Sequence, residues 1–360
     1  MIAVMHLPPA LSYLLDDAAG APGADAFLTA LGQRLVADGL PLAGGAFTQA
    51  APHPIITRRT WLWRADTGQV IEALGFGFAG LAPENVGRDW LAGLGTGVVH
   101  EDVVGGAADG TVLGWAANRP FDEAELDLLR RVARFAAAPL AALAARSTIS
   151  VLLETYLGRR SAAQVLAGRL RREPGETIRA ALLYADLRGF TELSENTAPQ
   201  DVVEALDAWF DRIAGAVHAF GGEVLKFIGD GVLAIFPIGE RGATAACDAA
   251  LSAIAAARAG MDHLDRARAA KNLPPLPFGA ALHVGEMLWG NIGTANRLDF
   301  TAIGSAVNLV SRLEGLCKTL DRQVLLSGAF ARETTQPLLP LGEHRLRGIA
   351  DPCAVFAPEQ

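Results

Sequence analysis

Two aspartates stand where apolar runs stop: Asp186 directly after ALLYA, and Asp230 between two glycines after VLKFI. Carboxylates at the ends of neighbouring strands present hard oxygen ligands along one sheet edge, the donor type that Mg²⁺ takes together with bound phosphates. After Asp186 runs LRGFT, a short glycine-containing turn before a helix. Such a turn can aim backbone N–H groups at phosphate oxygens, or it can simply connect two elements. Asn308 and Arg312 lie four residues apart, so a helix there carries both on one face while Val307, Leu309 and Leu313 turn inward. Each of these is, taken alone, most often a solvated residue, but a pair of glycine-flanked aspartates shifts the balance towards metal–phosphate chemistry.

The elements that must position them are regular from Ile178 onward. ALLYAD reads as a strand leading to a helix capped by Thr197 and Gln200, whose Val202, Leu206, Trp209, Ile213 and Val217 recur at helical spacing. Strands EVLKFI and VLAIF follow, joined by the tight turn Gly229-Asp230-Gly231, with Gly221-Gly222 ending the preceding helix. An alanine-rich helix over about 241–271 comes next, then strands FGAALHV, EMLWGNI and LDFTAI, a helix from Ser305 to Leu320 and strand QVLLS. The β-α-β-β-α-β order, with extra strands at the end, predicts a ferredoxin-like sheet with helices on one face.

Upstream, residues 1–121 read as a smaller α+β module: helix DAFLTALGQRLVADG, then strand-like AGGAFTQ, RRTWLWRAD, QVIEALGFGF and TVLGWAA, with Asp66-Thr67-Gly68 as a hairpin turn. Trp61 and Trp63 alternate with Leu62 and are expected in the core. Residues 122–175 read as a helical linker. Asp122 and Glu125 form a carboxylate capping box opening a helix that runs to Leu157 and stops at Gly158. Its Leu140, Leu143, Ile149, Val151, Leu152, Tyr156 and Leu157 make a loosely heptad-like seam, equally suited to a dimeric signalling helix and to packing on its own domain. Ser161 and Gln164 are expected to open a second helix closed by Glu173-Pro174-Gly175. The third domain is 176–360.

Composition excludes several alternatives. The 360 residues are 51% hydrophobic and 19% charged, which suits two globular domains, and the formal net charge of −8 argues against a broad nucleic-acid grip. Cys247, Cys317 and Cys353 form neither a CxxC pair nor a zinc spacing, so a reducing cytoplasm is the expected compartment. The apolar stretch 135–145 is bracketed by Arg134 and Arg146, well short of the roughly 20 residues that cross a bilayer, so no membrane insertion is expected. GFGFAG at 75–80 satisfies GxGxxG, but Pro83 follows and no amphipathic helix opens there, so a loop is expected. His218 and His283 sit in apolar-periodic surroundings and are expected to be structural.

The blocks ALLYADLRGFTELSE, GGEVLKFIGDGVLAIF, ALHVGEMLWGNIG and RLDFTAIGSAVNLVSRLE occur in one order over about half the chain, and this stretch resembles the catalytic domain of the class III nucleotidyl cyclases. The resemblance implies that Asp186, Leu187 and Asp230 bind two Mg²⁺ or Mn²⁺ ions. It implies that Asn308 orients the ribose, Arg312 stabilises the transferring phosphate, and Lys226 and Thr301 read the purine. Leu187, Arg188, Gly189, Phe190, Thr191 and Arg347 would bind phosphate. Adenine offers an acceptor at N1 and a donor amine at N6, complementary to a lysine donor and a hydroxyl acceptor, so ATP is the implied substrate. Guanylate-specific relatives carry an acidic residue at the lysine position, and threonine at 301 resembles the class IIIb subgroup. Two departures are Ser305, where many relatives have aspartate, and Arg347, where relatives commonly carry lysine. The implied reaction is a two-metal in-line displacement giving cyclic AMP and pyrophosphate, in a head-to-tail homodimer whose sites lie between the chains. A guanylate cyclase and a catalytically silent nucleotide-sensing or dimerisation module are the alternatives. By element order and position, the N-terminal module resembles a GAF-like sensor of an unknown signal.

Overall fold

The computed structural model describes residues 7–51, 56–76, 85–94, 98–104, 110–169, 175–294 and 297–359. They form two compact units, Met1–Leu153 and Glu154–Gln360.

The first unit contains α1 (Pro9–Asp16), α2 (Ala24–Ala37), β1 (Leu42–Ala50), β2 (Ile56–Arg64), β3 (Val70–Phe76), α3 (Val86–Ala92), β4 (Val98–Val103), β5 (Val112–Ala117) and most of α4 (Glu123–Leu157). Its strands pair antiparallel in the order β3-β2-β1-β5-β4. The Asp66-Thr67-Gly68 turn joins β2 to β3, with Gly68 at φ +68°, a conformation glycine adopts without strain. Trp61 and Trp63 face one core with Phe27, Leu31 and Val132, while Leu62 faces the opposite layer with Leu91. Of GFGFAG, Gly75 and Phe76 end β3 and residues 77–80 lie outside the described residues. Helices α1 and α3 and strand β4 went unread. The first two are only eight and seven residues long, too short for a helical period to stand out.

Helix α4 opens with the expected box: the Glu125 N–H donates to Asp122 Oδ1 (2.8 Å) and the Asp122 N–H donates to Glu125 Oε2 (2.9 Å). Leu128, Leu129, Val132, Ala133, Ala136, Leu140 and Leu143 pack into the first unit, and Arg146 donates to the Ala21 carbonyl (2.9 Å). By length and composition alone, with a mean hydropathy of 1.6, α4 is the one helix among the described residues apolar enough to cross a bilayer. This exceeds the expectation from Arg134 and Arg146. Beyond the packed stretch Ile149, Leu152 and Tyr156 are exposed.

The second unit continues with α5 (Arg159–Leu166), β6 (Glu176–Leu187), α6 (Phe190–Asn196), α7 (Pro199–Ala219), β7 (Glu223–Ile228), β8 (Gly231–Pro237), α8 (Gly242–Ala269), β9 (Phe278–Gly293), β10 (Leu298–Ile303), α9 (Ser305–Glu314), β11 (Val324–Ser327), α10 (Gly328–Ala331), β12 (Leu338–His344) and β13 (Cys353–Pro358). The sheet order is β12-β13-β11-β9-β6-β8-β7, with β10 paired to β9. Its β9-β6-β8-β7 part, antiparallel throughout, is the ferredoxin-like arrangement.

Several local expectations are corrected. Helices cover both faces of the sheet: α7 and α8 pack on Ala181, Leu183 and Ala185, whereas α9 packs on Ile178, Ala180 and Leu182. This two-sided burial explains why ALLYA is apolar without alternation. FGAALHV and EMLWGNI are one strand, because Gly285 is not a break but a close approach. A Cβ there would lie 2.6 Å from the Ala306 Cβ of α9. Thr197 closes α6, and α7 starts from Ala198 with Pro199 in its first turn. Ser161 is buried inside α5, which starts after Gly158 and gives way to a turn at Ala167-Gly168; Glu173 and Pro174 lie outside the described residues. Helix α9 ends at Glu314 and buries Ala306, Val310 and Leu313, with Val307 and Leu309 only partly covered. His283 is buried with Ser327 Oγ 2.8 Å away and its pKa pushed down to about 4 by burial, whereas His218 is exposed.

Candidate active site

Strand β6 ends on the α9 face of the sheet with Tyr184 and Asp186, because alternate residues Ala181, Leu183 and Ala185 are committed to the other core. Asp230 lies in the β7–β8 turn, where Gly229 at φ +64° supplies the left-handed conformation that a two-residue hairpin favours. The turn is fixed from beneath: the fully buried Trp209 of α7 donates its indole N–H to the Asp230 backbone oxygen (2.9 Å). Gly231 is required by Tyr184, whose Oη would lie 2.6 Å from a Cβ at that position.

Asp186 and Asp230 share a side-chain hydrogen bond. Burial, then the bond to Asp230 and its charge, then the charge of Glu314, push the Asp186 carboxyl up to about 7. Asp186 Oδ1 is buried without a hydrogen-bond partner. Two carboxylates that can meet only by sharing a proton, one with an orphaned oxygen, have surplus acceptors for a hard cation. Among the described residues no cluster of three or more His, Cys, Asp or Glu side chains could hold a metal. The protein therefore offers two side chains and leaves the remaining positions to other oxygens, as Mg²⁺ sites on phosphates do. Beside them the Arg188 N–H donates to the Pro277 carbonyl (2.7 Å), and Gly189 at φ +73° caps α6, which begins with Phe190 and Thr191. The LRGFT segment is thus a turn followed by a short helix.

The other expected residues lie apart from this pair. Lys226 on β7 forms an ion pair with Asp299 on β10, and Thr301 is two residues further along β10. Asn308 and Arg312 are exposed on α9, and Arg347 is exposed beside Gly348. Among the described residues, Thr301, Asn308, Arg312 and Arg347 make no side-chain hydrogen bond or ion pair with Asp186, Asp230 or Lys226.

Four neighbours of the site escaped sequence reasoning. Trp209 was assigned to the core with no view of its donor, and Tyr184 was taken as strand filler. Glu314 stands over Gly279, the register partner of Asp186, and a Cβ at 279 would meet its carboxylate oxygen at 2.3 Å. Burial raises the pKa of Glu314, with Arg188 opposing and the Asp230 charge adding. Asp299 could have been found from its period-two relation to Thr301.

The sequence profile of the adenylate and guanylate cyclase catalytic domain matches residues 173–338. Over 171 residues the chain is 33% identical to Adenylate cyclase 1 of Rhizobium meliloti, covering 46% of this chain and 25% of that protein. Over 211 residues it is 32% identical to Adenylate cyclase 2 of the same organism, covering 56% and 55%. The chain thus spans between a quarter and just over half the length of these relatives. A bacterial light-regulated adenylyl cyclase structure shares the fold, with a TM-score of 0.53 and 21% identity over 72% of this chain and 84% of that one. Residues 173–338, which contain the paired aspartates, belong to the class III adenylate and guanylate cyclase catalytic domain family.

Proposed function

We infer that the chain is an adenylate cyclase, converting ATP to 3′,5′-cyclic AMP and pyrophosphate under the influence of its N-terminal unit. The observation that carries this reading is the Asp186–Asp230 pair, two carboxylates joined at a sheet edge with one oxygen unsatisfied, inside a domain of the cyclase family. Asp186 and Asp230, with the Leu187 backbone, would hold two Mg²⁺ or Mn²⁺ ions. Such ions lower the pKa of a bound hydroxyl and neutralise phosphate charge.

The remaining roles belong to the chain's own groups. Lys226 donates to adenine N1 and Thr301 accepts from the N6 amine. Asn308 holds the ribose and Arg312 places fixed positive charge against the reacting phosphate, a contribution of about 3 kcal/mol in comparable sites. The backbone of residues 187–191 and the Arg347 guanidinium hold the leaving phosphates. Because Asn308 and Arg312 face solvent away from the aspartates of their own chain, a head-to-tail homodimer would complete each site with residues from both copies. The N-terminal α+β unit, resembling a GAF-like sensor in element order, would deliver an unidentified signal through α4.

The purified chain incubated with ATP or GTP and Mg²⁺ or Mn²⁺ tests this directly. Cyclic AMP and pyrophosphate from ATP are expected. Cyclic GMP as the main product would overturn the base assignment, and no cyclic nucleotide under any pairing would favour the silent module. Mixing inactive Asp186→Ala with inactive Arg312→Ala should restore activity, and failure to do so in demonstrated mixed dimers would refute the shared site.

A further inference from the structure

Lys226 has a partner that base recognition alone does not explain. Its ammonium is ion-paired with Asp299, on a strand that joins the sheet only through β9. The order of the sheet puts β6 and β8 between β9 and β7, so the pair ties the projecting β9–β10 ribbon to the far edge strand. Phe300 anchors that ribbon from its other face by stacking on Trp289, with ring centroids 6.1 Å apart. Asp299 and Thr301 therefore share a face of β10, which brings the ammonium, the carboxylate and the hydroxyl into one group.

We propose that Asp299 is a positioning and specificity residue for purine recognition: it fixes the Lys226 ammonium beside Thr301 and keeps its own acceptor oxygens engaged. This rests on the adenine-reading role given to Lys226 above. An ammonium has three N–H donors, so Lys226 can keep Asp299 and still serve adenine N1. Unpaired, its flexible four-carbon stem would have to be ordered anew with each nucleotide, lowering affinity without touching the reacting atoms. A free carboxylate at 299 would also present acceptors that suit the N1–H and N2–H donors of guanine and not adenine N1. The ion pair thus aims the lysine and masks an oxygen pair that would favour the wrong base.

Both side chains are partly exposed, 36% for Lys226 and 61% for Asp299, so substitutions there leave the cores intact. Steady-state kinetics on the full chain test the proposal. Asp299→Asn and Asp299→Ala are each expected to raise KM for ATP about 3- to 10-fold while kcat stays within about 2-fold, and Asp299→Glu should recover most of the difference. In a Lys226→Ala background Asp299→Ala should no longer raise KM for ATP. Lys226→Ala alone should relax preference towards GTP, and Asp299→Ala added to it should remove that gain.

If Lys226→Ala changes neither KM for ATP nor the ATP-over-GTP preference, the base reading fails and this inference fails with it. If Lys226→Ala acts but Asp299→Asn leaves KM unchanged or lowers it, the base reading stands and Asp299 is only a competitor for the lysine. An effect of Asp299→Ala that persists undiminished without Lys226 would equally overturn the proposal.

Discussion

Replacing Trp209 with phenylalanine separates the support of the Asp230 turn from the packing of the core. Phenylalanine can keep a ring against Phe278, whose centroid lies 5.0 Å from that of Trp209, but has no N–H for the Asp230 carbonyl 2.9 Å away. The lost hydrogen bond costs about 1 kcal/mol and the smaller ring leaves a void costing about 1 kcal/mol more. A total of about 2 kcal/mol leaves a domain of ordinary stability folded. The turn, however, holds one of the two carboxylates, and a displacement of about 1 Å at a reacting centre can cost on the order of 100-fold. Cyclase activity is therefore expected to fall about 10- to 100-fold, with a higher Mg²⁺ concentration for half-maximal rate. Ile213→Val, on the same helix and in the same core, should cost about 1 kcal/mol and leave activity and Mg²⁺ dependence unchanged. Denaturant midpoints and product formation against Mg²⁺ measure both. Unaltered activity and Mg²⁺ dependence in Trp209→Phe, despite the stability loss, would refute the claim that the indole positions Asp230.

Gly231→Ala places a Cβ 2.6 Å from Tyr184 Oη, so activity should fall at least about 10-fold, and Tyr184→Phe should partly rescue it by removing that oxygen. For His283, the unfolded pKa is about 6.5 and the folded one about 4, so the unfolded chain binds more protons between these values. Stability is fully present above about pH 6.5 and falls by about 3 kcal/mol as pH drops towards 4; His283→Gln should flatten that slope in denaturant midpoints. Asp186→Asn should abolish activity. At pH 8 without divalent ions it should also be about 1–2 kcal/mol more stable than the parent, after discounting for solvent access, because the folded Asp186 carboxyl is raised and its ionised form disfavours folding as pH rises towards 7. Arg160 donates twice to Glu223 at the start of β7 (2.8 Å each), and a double-mutant cycle of the two alanines in low salt should show about 0.5–1 kcal/mol of coupling.

What was legible in the sequence follows the range of the interactions that made it so. Asp230 could be placed because the hairpin Gly229-Asp230-Gly231 is a local device, and the α4 capping box could be read for the same reason. The strand content of the second unit was legible because ALLYA and VLAIF are apolar runs bounded by turns. Their burial on two faces was not, since an apolar run does not say how many layers cover it. Gly285 was misread as a strand break because the helix that needs its missing Cβ, α9, lies 20 residues away in sequence. The contacts that escaped, Trp209 to Asp230, Glu314 over Gly279 and Lys226 to Asp299, join residues 21, 35 and 73 positions apart. In each, the residue type was visible and the partner was not.

The same arrangement that makes the site capable of binding a cation makes it costly to the empty fold. Strand β6 is held by cores on both faces, so its last residues cannot shift to separate Asp186 from Asp230. Trp209 grips the opposing turn by its backbone, and Tyr184 closes on Gly231, leaving the second carboxylate little room to retreat. Glu314 adds a third negative group rather than a counter-ion for the pair. A structure selected only for stability would place a cation or an amide at one of these positions, or let one aspartate swing into solvent. The protein does neither. It spends rigid elements on keeping two carboxylates close and undercompensated, an arrangement that gains free energy only when a divalent ion and its phosphates arrive.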